Sequence, residues 1–114
     1  MTHPAGFRPR ERIRRREEFQ RIYAQGAKIH GRFGIVFLLP NGLDVSRLGI
    51  AATKKFGGSV ARNRAKRLIR DVFRRNKIAA GFDVVVVPKR ALLETSLSAF
   101  EAEFRRTLER RVRQ

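Results

Sequence analysis

The 114-residue chain contains no cysteine, which removes thiolate catalysis, iron–sulfur clusters, cysteine-based zinc sites and disulfides together. Two histidines, His3 and His30, are all that remain as candidate imidazole ligands or bases. Acid is scarce as well: 10 Asp and Glu stand against 27 Lys and Arg, a formal net charge of +17. The few acids are scattered and form no paired-carboxylate motif of the kind a two-metal site needs. No apolar run approaches the roughly 20 residues of a membrane span. The basic stretch from Arg8 to Arg16 is not followed by the apolar segment of a secretion signal, and Glu11, Glu17 and Glu18 argue against an organellar transit peptide. A cytoplasmic protein without a membrane partner is expected.

What is present is a normal apolar fraction, 42%, carried by a very basic chain. That fraction suffices for one hydrophobic core, so the charge is not a mark of disorder, and the expectation is a single domain over 1–114. Self-repulsion at this charge has to be offset by a polyanion, so an anionic partner is implied. Which polyanion depends on where the charges sit.

Along the chain, residues 1–13 read as a flexible basic arm interrupted by Pro4, Gly6 and Pro9. Phe19, Ile22 and Tyr23 then have the i, i+3, i+4 spacing of a short helix over about 17–25, with Gly26 as its C′ residue. Gly34 to Leu39 reads as a strand closed by the Pro40-Asn41-Gly42 turn, and Arg47 to Lys55 as a second strand able to pair with it as a hairpin. Ser59 is the candidate N-cap of a helix running to about Asn76. On that helix Ala61, Ala65, Leu68, Ile69, Val72 and Phe73 share an arc of roughly 140° at about 100° per residue. Gly81 marks a stop, and the run Asp83 to Pro88 has the β-branched continuity of a strand buried on both faces. A last helix carries the stripe Leu97, Phe100, Phe104, Leu108 and Val112, capped by Ser96 or Ser98, with Glu101 completing a capping box with Ser98. This order implies an α+β sandwich: one mixed sheet with helices packed on it and a β-α-β unit around the long helix.

The chemistry concentrates between residues 54 and 77, where ten basic residues meet one acid, Asp71. Asn63, Arg64, Lys66, Arg67, Arg70, Arg74 and Arg75 occupy the helix side opposite the apolar arc, with Arg62 at its edge. A merely solvated face interleaves signs to gain i, i+4 pairs, whereas this one stacks like charges, which is the pattern of a phosphate-binding surface. A basic amphipathic helix could also lie on an anionic membrane, but the Val-rich strand needs its apolar arc as cover. Phe19, Tyr23 and Phe37 lie near basic segments, where aromatic rings can stack single-stranded bases. From spacing alone Phe19 fits core packing better than stacking, whereas Tyr23 is evenly balanced between the two, its hydroxyl preferring a wet edge. A nuclease built on His3 and His30 is poorly supported, since the two are so differently placed. Gly57-Gly58-Ser59 before a helix resembles an anion-binding N-terminus but lacks the full Walker pattern.

Residues Thr53 to Arg70, with Arg62-Asn63-Arg64 followed by Lys66-Arg67, resemble the signature of the bacterial ribonuclease P protein component. Agreement extends to Glu18 through Tyr23 and Gly26 upstream, and to Asp83 through Lys89 downstream, which is most of the chain. Thr53, Gly58, Ser59 and Ala65 depart from the residues most usual in the family, and none of these changes removes a phosphate donor.

The resemblance implies a two-layer α/β sandwich whose central sheet has about four strands, with a left-handed β-α-β crossover around the signature helix. It also implies a subunit of an endoribonuclease that removes 5′ leaders from precursor tRNA. The chemistry would then belong to a large RNA using magnesium ions (Mg2+), with no catalytic residue on this chain, no specific metal ligand assigned and no further protein partner required. Carried over by position, Lys54, Lys55, Arg62, Asn63, Arg64, Lys66, Arg67 and Arg70 would face the catalytic RNA, and Phe19, Tyr23 and Phe37 the leader. A ribosomal or general RNA-chaperone protein shares the charge and the basic helix, but has no reason to depend on a leader.

Overall fold

A computed structural model describes residues 11–76 and 81–112, with side chains through Arg110. Helix α1 (Arg16–Gln25) opens with Glu17 and Glu18 in its first turn, where carboxylates favour the positive end of the helix dipole. It ends at Gly26 in extended backbone, φ −77°, rather than in the left-handed conformation expected of a C′ glycine. The glycine is required for a different reason: a Cβ there would stand 2.7 Å from the Ile22 carbonyl oxygen and 3.1 Å from that of Leu38. The missing side chain lets the chain turn directly from α1 into the sheet.

Strand β1 (Ala27–His30) pairs antiparallel with β2 (Gly34–Pro40), with Lys28 opposite Phe37 and His30 opposite Ile35. Next come β3 (Arg47–Ile50), α2 (Ser59–Arg75), β4 (Phe82–Pro88), a 3₁₀ turn over Arg90–Glu94, and α3 (Leu97–Val112). The sheet order is β1-β2-β4-β3, with β2 and β4 antiparallel and β3 and β4 parallel. The β-α-β unit expected around the long helix is therefore β3-α2-β4.

The expected hairpin between the strands at 34–40 and 47–55 does not form, because β4 lies between them, and β3 ends at Ile50. Val84, Val85 and Val86 are 2%, 0% and 1% exposed, and only an interior position gives such a strand cover on both faces. The connection over 41–46 spans the intervening strand, a step of about 10 Å at the usual strand spacing. Asn41 braces it, accepting the Leu43 N–H at 2.8 Å and donating to the Val45 carbonyl at 3.2 Å. Gly81 takes a left-handed φ of +88° where the chain enters β4.

One sheet face (Val36, Leu38, Leu48, Val84, Val86) packs on Ala65, Ile69, Val72 and Phe73 of α2 and Phe100, Phe104 and Leu108 of α3. The other face gathers Ile13, Ile22, Phe37 and Val85, with Phe19, Ile35, Leu39 and Val87 only partly buried. Ten-residue α1 is too short to cover this second face. Gly58, not Ser59, is the N-cap residue of α2. Ser96 caps α3 by accepting the Ala99 N–H at 3.1 Å. The capping box with Ser98 is not made, since the Glu101 carboxylate instead receives Asn76 Nδ2 at 2.6 Å and Arg75. Leu97, expected in the apolar stripe, stands in solvent at 37% exposure, and the Val112 side chain lies outside the described residues.

Of the arm expected over 1–13, residues 1–10 lie outside the described residues. Residues 11–13 are held on the sheet: Ile13 is buried, its N–H donates to the Leu48 carbonyl at 2.9 Å, and Arg12 bridges in parallel to Leu48.

Candidate nucleic-acid interface

Helix α2 turns its apolar arc into the core, and that orientation fixes what its other side presents. Asn63, Arg64, Arg67 and Arg70 are exposed, Lys66 and Arg62 half-buried. Among the described residues none of Arg64, Lys66, Arg67 and Arg70 is paired with an acid, whereas Arg74 bonds Asp71 at 3.1 Å and Arg75 bonds Glu101 at 3.3 Å. The cationic face is thus narrower than the sequence suggests, because its C-terminal arginines serve the fold.

Lys54 and Lys55 are exposed on the turn leading to Phe56, whose buried ring anchors the turn. Arg90 donates to the Phe56 carbonyl at 3.0 Å, and Arg62 to the Gly57 carbonyl at 3.2 Å. Arg62 therefore holds the loop that presents the lysines, as well as standing at the margin of the face.

Arg12 and Arg14 join this surface, and the sequence reading missed them. With Lys66 and Arg70 they surround a groove of about 190 Å³ at the outer edge of β3, floored by Ile13, Leu48 and Ile50. The available signal was the period-two alternation Arg12-Ile13-Arg14, which marks a strand-like segment with one side chain turned inward.

On the other sheet face the three aromatics expected from the sequence do come together. Tyr23 meets Phe37 edge-on with centroids 4.9 Å apart, and Phe19 lies 6.3 Å from Tyr23. Their exposures differ: Tyr23 is 40% exposed, Phe19 half-buried, and Phe37, at 8%, is the floor of the cluster. Core packing and an accessible ring thus coexist, and Tyr23 offers most of the accessible surface. Lys28 places its ammonium 5.9 Å from the Phe37 centroid. Burial pushes the Tyr23 hydroxyl upward, so it stays neutral and able to donate. Phe19 reaches its position because Gly49 has no side chain: a Cβ there would stand 2.8 Å from its ring.

A buried ionic network fixes α1 above this face. The fully buried Asp83 receives Arg47 through two bonds, Nε at 2.8 Å and Nη2 at 2.7 Å, and Asn41 Nδ2 at 2.9 Å. Arg47 also reaches Glu18 on α1 at 2.9 Å, and Arg21 approaches Asp83 at 3.4 Å. Burial alone would raise the Asp83 carboxyl, but the bonds from Arg47 and Asn41 and the nearby cations outweigh it and hold it below the usual range. Glu18 behaves alike, with Arg47 overcoming its desolvation.

His30 is exposed at the end of β1, and His3 lies outside the described residues, so no histidine pair is observed. Among the described residues no three His, Asp or Glu side chains come together as a metal site.

The family model described as Ribonuclease P matches residues 7–112. The chain belongs to the ribonuclease P protein family. The ribonuclease P protein component of Thermotoga maritima is 46% identical over 90 residues, 77% of each chain. The solved RNase P protein from Thermotoga maritima superposes with a TM-score of 0.79 at 38% identity, covering 88% of this chain and 96% of that one. The Staphylococcus aureus RNase P protein gives 0.77 at 31% identity, covering 87% and 93%. As a ribonuclease P protein, the chain is a subunit of an endoribonuclease and works with a ribonuclease P RNA. The four-stranded mixed sheet with three helices agrees with those structures. No helix among the described residues is long and apolar enough to cross a membrane.

Proposed function

We propose that this subunit docks on the catalytic RNA through the α2 face and holds the 5′ leader of precursor tRNA on the aromatic face, promoting hydrolytic removal of the leader in the cytoplasm. The observation that carries the reading is a surface of two chemistries on one small fold: unpaired cations along α2, and an accessible aromatic beside a lysine on the half-covered sheet face. Arg64, Lys66, Arg67 and Arg70 neutralise phosphates, each releasing counterions and contributing about 0.7 to 0.9 to the salt slope of binding. Lys54 and Lys55 extend that surface from their braced turn, and Asn63 adds a neutral donor. Tyr23 stacks a leader base, with Phe19 and Phe37 fixing its ring, and such stacking is worth about 1–3 kcal/mol per base. In this reading Mg2+ is used by the RNA subunit. The protein lowers the RNA's magnesium demand by screening phosphate repulsion.

Cleavage of a precursor tRNA at limiting magnesium tests this with protein alone, ribonuclease P RNA alone, and both. Activity only in the mixture is expected. Cleavage by the protein alone would overturn the division of labour, and no gain on mixing would remove the cofactor role.

A further inference from the structure

At the sheet edge opposite the β3 groove, a cavity of about 410 Å³ opens between β1 and α3. Three arginines make it cationic, Arg32 from the β1–β2 turn and Arg106 and Arg110 from α3, and His30 adds a polar ring from the end of β1. Arg106 and Arg110 are four apart and so lie on one helix face. The acid in the lining, Glu103, is already committed. Its two carboxylate oxygens accept the backbone N–H groups of Arg32 at 2.8 Å and Phe33 at 3.1 Å.

Gly31 makes that brace possible, since a Cβ there would stand 2.6 Å from the Glu103 carboxylate. Lys89 closes the turn from the other side, donating to the Gly31 carbonyl at 2.9 Å. The turn is thus fixed by Glu103 and Lys89, and neither Arg106 nor Arg110 has an acid partner among the described residues. Arginines lining one cavity beside a fixed turn suit a phosphodiester, whose oxygens accept paired N–H bonds.

The position of the cavity names the source of that phosphate. Alternation along β1 puts His30 on the same sheet face as Lys28, and Lys28 lies opposite Phe37 in the aromatic cluster. From Lys28 to His30 is two residues, about 7 Å along the strand. Helix α3 packs on the opposite sheet face, so a single strand that stacks on Tyr23 reaches its arginines by crossing β1 at Lys28 and His30 and turning around the sheet edge.

We infer that the β1–α3 pocket binds a phosphodiester of the 5′ leader upstream of the nucleotides on the aromatic face. The inference rests on the leader reading proposed above. The test uses the reconstituted holoenzyme and two precursor tRNAs, one whose leader ends within the aromatic face and one whose leader extends past β1. Arg106→Gln and Arg110→Gln are compared with Arg105→Gln, which removes the same charge from the neighbouring position outside the pocket, and with Tyr23→Ala.

The first two variants should weaken the long-leader substrate about threefold to tenfold and lower its salt slope by about 0.7. They should leave the short-leader substrate and the affinity for ribonuclease P RNA unchanged, and Arg105→Gln should change none of these. An equal loss in Arg105→Gln would reduce the effect to net charge and overturn the pocket. A loss in RNA-subunit affinity would assign the phosphate to that RNA and overturn the leader assignment. If Tyr23→Ala weakens both substrates while Arg106→Gln and Arg110→Gln weaken neither, the pocket fails and the aromatic site stands. If Tyr23→Ala also has no effect, the leader reading itself fails.

Discussion

Gly49 is the position at which the fold makes room for the aromatic site, and Gly49→Ala tests that directly. The glycine is buried in β3, and an added methyl would lie 2.8 and 2.9 Å from two ring atoms of Phe19 and 3.1 Å from Ile13 Cβ. The Phe19 ring is the outer end of a side chain and can swing away, whereas the Ile13 Cβ is tied to a backbone bonded to Leu48. Overpacking of this kind costs about 1–3 kcal/mol, and the stiffer unfolded chain returns about 0.4–1 kcal/mol. A net loss of about 1–2 kcal/mol in denaturant unfolding is expected, together with weaker leader affinity as Phe19 is displaced from Tyr23. A double-mutant cycle isolates the cause. In a Phe19→Ala background the clash with the ring is gone, so Gly49→Ala should cost distinctly less, with a coupling of at least about 0.5 kcal/mol. Strict additivity of the two changes would refute the claim that Gly49 exists to seat Phe19.

Tyr23→Ala should weaken holoenzyme affinity for leader-bearing substrate by about 1–3 kcal/mol with little change in unfolding, since the ring is 40% exposed; Phe19→Ala should weaken leader binding more than assembly with the RNA, and equal losses in both assays would contradict the site. Arg64→Ala and Arg67→Ala should each weaken assembly with ribonuclease P RNA and lower its salt slope by about 0.7 to 0.9, and an unchanged slope in a salt titration would remove them from the interface. Asp83→Asn removes the fully buried one of the two carboxylates that Arg47 bonds, leaving Glu18 as its counter-charge, and should cost about 1–3 kcal/mol at neutral pH, read by urea unfolding. Asp83 and Glu18 are held below their usual values, so the stability they contribute is complete above about pH 4 and is lost as pH falls through their folded-state values. Acid titration of unfolding should therefore show a steep loss below pH ~4 that Asp83→Asn flattens.

The elements legible in the sequence were those whose signal is local and long. The 17 residues of α2 carry one apolar arc and one cationic arc, and the valines of β4 announce an interior strand. Strand β1 was illegible because Ala27-Lys28-Ile29-His30 holds a single large apolar residue and exists through pairing with β2. The family resemblance, not the residue pattern, supplied the fourth strand. The hairpin expectation failed because sheet order is a non-local property: nothing in residues 34–50 records that β4 will insert between them.

The candidate site divides in the same way. Arg64, Lys66, Arg67 and Arg70 follow from helical periodicity, and the meeting of Phe19, Tyr23 and Phe37 was expected from the family. The network of Asp83, Arg47 and Glu18 joins residues 29 to 65 positions apart, and only the folded chain brings them together. Exposure too had to be seen in three dimensions, since Tyr23 and Phe37 are in contact yet one faces solvent and the other forms the floor.

The central claim is that two surfaces of this subunit touch two different RNAs, and site-specific photo-cross-linking in the assembled holoenzyme with bound precursor tRNA tests it most directly. A photoreactive side chain replacing Tyr23 should attach to the 5′ leader, and one replacing Arg67 to ribonuclease P RNA. Attachment of the position-23 probe to ribonuclease P RNA alone, or of the position-67 probe to the leader, would contradict the account.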